Sequence, residues 1–129
     1  MSRRDARETA FKLVFEYAFN EQKREDLVEE YTANLDADDK AYINEVYFGV
    51  VAHYYDLASL VNETAKNFAF DRLFKVDLAL LVLALYEIKY MDQIPYKVSV
   101  DEALNLAEKY STSKSVKYIN GVLSKFARS

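Results

Sequence analysis

The chain has 129 residues, 51% of them apolar, and a formal net charge of −4 at pH 7. That length suits a single domain with a real core, and that apolar share excludes a disordered chain. Cysteine is absent, which excludes disulfides and thiolate zinc sites and fits a reducing interior.

Only two glycines and one proline punctuate the chain. Such scarcity of turn residues favours long helices with short connections. The longest apolar run, residues 78–86, is about half the length of a membrane helix. With no signal-peptide pattern at the start, the expectation is a soluble cytoplasmic protein with no membrane partner.

Ser2 can cap a first helix from Arg3, on which Ala6, Ala10, Leu13, Val14 and Tyr17 recur at helical spacing as one apolar face. Residues 22–35 read as a second, acidic helix with Leu27, Val28, Tyr31 and Leu35 inward. Asp36, with Asp39 three residues on, opens a third, long helix to about Asn67. Asp71 starts a short helical turn. Residues 77–91 are apolar nearly all round, which places that helix in the middle of a bundle. After Pro95, Ser99-Val100-Asp101-Glu102 matches a capping box for a helix to about Tyr110. Ser113 or Ser115 caps the last helix, with Val116, Ile119, Leu123 and Phe126 inward. The reading is an all-α domain of six or seven helices spanning the chain.

Charge is unevenly spread. Residues 1–12 carry +2 and residues 109–129 carry +5 with no acid, so residues 13–108 must hold −11 of the total −4. An acidic body with basic ends suggests one surface for a polyanion and another for a cationic partner. Arg3, Arg4 and Arg7 fall within an arc of roughly 100° on the first helix. They stand at a helix N-terminus, where the macrodipole disfavours cations; phosphate contact would explain the placement, a solvated face being the plainer alternative. Lys114, Lys117 and Gly121 share one side of the last helix with Tyr118 beside them. Lysines can neutralise phosphates and a tyrosine can stack on an unpaired base, although Gly121 can equally serve close packing of another helix.

Catalytic and metal constellations are missing. The carboxylates of the body come without a histidine cluster or a calcium loop. His53, the only histidine, reads as structural. Ser111-x-x-Lys114 lacks the partner motifs of a serine nucleophile, and Asn62-Glu63-Thr64 matters only in a secreted protein. No phosphate-cradling glycine loop exists. The residues therefore point to binding, with no catalytic residue, metal or cofactor.

Four blocks of residues resemble the NusB family of bacterial transcription antitermination factors. They are Arg3-Arg4-Asp5-Ala6-Arg7-Glu8; Phe48-Gly49-Val50-Val51-Ala52-His53; Arg72-Leu73 with Val76-Asp77 and on to Glu87; and Ile94-Pro95 through Ser99-Val100-Asp101-Glu102-Ala103 to Asn120-Gly121-Val122-Leu123. The resemblance spans essentially the whole chain. It implies about seven helices in two packed helical bundles and no enzyme activity. It implies binding of boxA leader RNA of ribosomal operons, together with the small-subunit ribosomal protein NusE, within an antitermination complex on RNA polymerase. By that resemblance Arg3, Arg4, Arg7, Lys114, Lys117, Tyr118 and Asn120 contact RNA, and Asp77 and Glu87 face the partner protein. Lys114 departs from the acidic residue common at its position and adds charge. Tyr118 replaces a common phenylalanine. The same fold opens ribosomal RNA cytosine methyltransferases, so a stand-alone relative of their N-terminal domain is the main rival within the resemblance, although their catalytic cysteine has no counterpart here. A helical adaptor that uses only the acidic surface is the reading outside RNA binding.

Overall fold

The computed structural model describes residues 2–65 and 74–127, and within them the chain is all helix and turn. The elements are α1 (Arg3–Asn20), α2 (Glu25–Thr32), α3 (Ala37–Ala52), α4 (Tyr54–Ala65), α5 (Lys75–Tyr90), α6 (Tyr96–Tyr110) and α7 (Ser113–Ser124).

α1 starts where its residues dictate. The Ser2 hydroxyl accepts from the Asp5 N–H and the Asp5 carboxylate accepts from the Ser2 N–H, a complete capping box. The apolar face at Ala6, Ala10, Leu13, Val14 and Tyr17 is buried. α2 is shorter than its expected span of 22–35. Its Val28 is buried, but Tyr31 is exposed rather than inward.

The expected long third helix divides at His53, whose φ of −113° and ψ of 19° leave the helical region. No glycine or proline marks the break. The His53 ring instead stacks on Tyr90 of α5 at 4.5 Å, a tertiary contact without a local signature. The end of the expected helix near Asn67 and the turn opening at Asp71 lie outside the described residues.

α5 is buried from Ala79 to Ile88 without a break, as its all-round apolarity requires. α1 packs on α2, α3 and α5, while α4, α6 and α7 pack on α5 from its other sides. Two helical bundles thus share α5, and their buried side chains form one continuous core. At Gly49 in α3 an added Cβ would lie 2.2 Å from the Tyr86 ring, so the helices approach there because no side chain intervenes.

Two helix starts differ from expectation. α6 begins just after Pro95, whose φ of −60° suits the position and whose carbonyl accepts from the Val98 and Ser99 N–H groups. Ser99 and Glu102 therefore fall inside the helix, and their polar groups turn to other partners. α7 is capped by Thr112, whose hydroxyl accepts from the Ser115 N–H, rather than by Ser113 or Ser115. None of the described helices is long and apolar enough to cross a membrane.

Candidate nucleic-acid interface

The three N-terminal arginines converge on one concavity of about 370 Å³, shared with Pro95 and Val98 at the start of α6. They do not play one role there. Arg4 is the most open, with its side chain 70% exposed. Its Nε and a terminal nitrogen donate to both oxygens of Glu102, the shortest contact being 2.9 Å. Hydrogen bonding from Arg4 holds the Glu102 carboxyl below its ordinary range, and Glu102 in turn raises the Arg4 guanidinium. Arg3 is half-exposed; its guanidinium lies 4.6 Å over the Tyr42 ring, and its Nε is 3.8 Å from Asp39.

Arg7 contradicts the expected phosphate role. It is only 4% exposed. Its Nε donates to Glu87 at 2.8 Å and a terminal nitrogen donates at 3.2 Å. Ser99 donates to Glu87 at 2.8 Å and the Tyr42 hydroxyl donates to it as well. Burial works against the Arg7 charge, but Glu87 and Tyr42 outweigh it and raise its pKa. Burial, then the Glu87 charge, pushes the Tyr42 phenol well above its ordinary value. Glu87 is fully buried, so its expected contact with a partner protein is corrected: it ties α1, α3 and α6 to α5.

The second predicted cluster stands elsewhere. Lys114, Lys117 and Asn120 are exposed on α7. Asp77, in the first turn of α5, is fully buried and accepts from the hydroxyls of Ser111 at 2.8 Å and Ser115 at 2.7 Å. It fastens the start of α7 to α5 and cannot itself meet a partner. Tyr118 also departs from expectation. It is 6% exposed within the core, not a free stacking face, and burial followed by the Asp77 charge raises its phenol pKa. The buried stripe of α7 runs through Ser115, Tyr118, Ile119, Val122 and Leu123. It is shifted from the expected Val116, Ile119, Leu123 and Phe126, since Val116 and Phe126 are only half-buried.

The two basic clusters are not brought together. Arg7 pairs near the end of α5 and Ser115 near its start, ten residues away, or about 15 Å along the axis. α6 lies between them, joined to α1 through Arg4–Glu102 and through Lys109 and Tyr110, which both donate to Glu8.

The model of the NusB family matches residues 4–128. The chain belongs to the NusB family. Curated relatives are the transcription antitermination protein NusB of Agathobacter rectalis, 37% identical over 98% of this chain and 100% of that one, and NusB of Listeria monocytogenes serotype 4a, 39% identical over 98% and 97%. Among solved structures, T. maritima NusB superposes with a TM-score of 0.85 at 28% identity, covering 98% of this chain and 91% of that one. NusB in a complex of antitermination factors NusB and NusE with double-stranded RNA superposes with a TM-score of 0.82 at 24% identity, covering 96% and 94%. The NusB family acts in transcription antitermination by binding, without catalysis. Among the described residues no group of histidine and carboxylate side chains could hold a metal ion.

Sequence reasoning passed over one further surface of this NusB-family fold. Phe15, Phe19, Phe74 and Val76 line a groove of about 400 Å³ with Tyr110 and Thr112. Phe19 is 62% exposed and Phe74 44%. The signal was present as Phe11, Phe15 and Phe19 at i, i+4 spacing, a second apolar row beside the core face. Glu102, read only as part of a cap, is the other omission.

Proposed function

We propose that this antitermination factor binds boxA-type leader RNA of ribosomal RNA operons together with the ribosomal protein NusE, in the cytoplasm, as part of an antitermination complex on RNA polymerase. Arg3 and Arg4 bind RNA at one end of the face, and Lys114, Lys117 and Asn120 at the other. The observation that carries this reading is the exposure of Arg3 and Arg4 on a concave surface at a helix N-terminus. Helix stability disfavours cations there, whereas phosphate favours them. The Arg4–Glu102 pair does not preclude it, since the Arg4 guanidinium is open to solvent and within reach of a competing anion.

NusE docks at the aromatic groove of Phe15, Phe19 and Phe74, beside the Asp77 network rather than on Asp77 itself. Clustered exposed aromatic side chains are the kind of patch that protein partners cover. Docking a cationic protein there extends the positive surface available to RNA. RNA must then tighten the protein–protein contact by the same factor. A pairwise titration of chain, NusE and boxA RNA tests this, with a scrambled RNA as reference. Equal affinity for boxA and scrambled RNA, with and without saturating NusE, would overturn the reading.

A further inference from the structure

The concavity at the start of α1 holds more than a phosphate site requires. A site for phosphate alone would be lined by donors. Here Arg3 and Arg4 face Pro95 and Val98, both exposed, with buried Ile94 and Arg7 beneath. Gln93, also exposed and on the same lining, carries both a donor and an acceptor on one side chain. Phosphate oxygens only accept, so the acceptor of Gln93 has no use against a phosphate; a base edge presents both kinds of group. The volume of about 370 Å³ lies at the small end of ligand pockets, which suits a single nucleotide and not a duplex. Sequence-specific RNA recognition uses unpaired bases that lay a flat face on a side chain and present an edge for hydrogen bonding.

We propose that this concavity seats one unpaired nucleotide of the bound RNA, its phosphate on Arg3 and Arg4, its base against Pro95 and Val98, and its edge on Gln93. The inference rests on the RNA-binding reading and deepens it: Gln93 and Val98 give sequence preference, and the arginines give affinity. In the free protein Glu102 occupies Arg4. In the complex the phosphate displaces Glu102 from Arg4.

The test uses the full chain and a boxA RNA series in which each nucleotide in turn is made abasic. With the wild-type protein, one abasic position should weaken binding roughly five- to tenfold through loss of its apolar contact with Pro95 and Val98 and its hydrogen bond to Gln93. In Gln93→Ala, which loses the edge hydrogen bond, and Val98→Ser, which loses apolar contact without adding charge, the penalty at that same position should shrink. Penalties at other positions, and the salt dependence, should hold. Both side chains are exposed, so circular dichroism should show an unchanged fold. Arg4→Ala should instead weaken binding to every RNA of the series. If the Gln93 and Val98 variants leave every abasic penalty unchanged while Arg4→Ala weakens binding, no base sits here and the arginines bind phosphate alone. If Arg4→Ala also leaves RNA binding intact, the arginines are not the RNA site and the proposal falls; if the wild-type chain binds boxA and scrambled RNA equally, the RNA-binding reading itself fails.

Discussion

Arg7 Nε sits 2.8 Å from Glu87 Oε2, and both side chains are withdrawn from solvent. Three neighbouring arginines therefore divide into one that holds the fold and two that remain at the surface. Arg7→Ala should leave the Glu87 carboxylate buried without its cation and cost about 3–5 kcal/mol. Replacing both by apolar residues, Arg7→Met with Glu87→Leu, should cost less than Arg7→Ala alone, although Tyr42 and Ser99 then lose their acceptor. Urea denaturation of the three proteins measures the order. A loss below about 1 kcal/mol for Arg7→Ala would show that the pair is not the tie described.

Arg3 and Arg4 should account for the salt dependence of RNA binding at this end. The double variant Arg3→Ala, Arg4→Ala should flatten the slope of log K against log salt by roughly one to two units. Glu102→Gln should act oppositely, because it releases Arg4 and removes a carboxylate from the concavity. A gain of about two- to fivefold at low salt is expected, because such charge effects at an open guanidinium are modest and screened by salt. Filter binding across a salt series reads both effects, and a weaker Glu102→Gln protein would exclude competition between carboxylate and phosphate.

Tyr118 belongs to the core, so its removal should be felt first in stability. Tyr118→Ala should cost about 3–5 kcal/mol, the range for truncating a buried aromatic side chain. Tyr118→Phe keeps the ring and should stay within about 1.5 kcal/mol of wild type. Thermal unfolding monitored by circular dichroism distinguishes the two, and near-wild-type stability of Tyr118→Ala would place the ring outside the core.

Stability should fall steeply on the alkaline side. Burial raises the phenols of Tyr47, Tyr54, Tyr86, Tyr96 and Tyr118, and Tyr42 is raised well above its ordinary value by burial and the Glu87 charge. An unfolded chain ionises these groups near pH 10, whereas the folded chain keeps its protons. Their contribution is fully present below pH 10 and is lost as pH rises through the higher folded values. On the acid side Arg4 lowers Glu102, and Lys109, then Tyr110, lower Glu8. That contribution is present above the ordinary carboxylate range and is lost as pH falls through the lower folded values. The urea midpoint should hold through neutral pH and drop above about pH 10, less steeply in Tyr42→Phe; an unchanged midpoint at pH 11 would contradict the burial of these phenols.

Much of the fold could be read from local patterns. The Ser2 cap, the apolar face of α1 and the all-round apolarity of α5 each depend on residues within a few turns of one another, and the helix period makes such patterns visible. The family blocks were legible for the same reason. The exposure of Arg4, Lys114, Lys117 and Asn120 also agreed with their positions outside the apolar stripes. What the sequence could not separate was Arg4 from Arg7, or a surface Asp77 from a buried one. Arg7 is buried because Glu87, eighty residues on, meets it with Tyr42 and Ser99 from two further helices. Asp77 is buried because α7 returns Ser111 and Ser115 to its oxygens. The break at His53, the inward turn of Tyr118 and the gathering of Gln93, Pro95 and Val98 around the arginines have the same origin. Periodicity determines which residues share a face of one helix, but the environment of a polar side chain is decided by partners from other helices, and those meet only when the bundle closes.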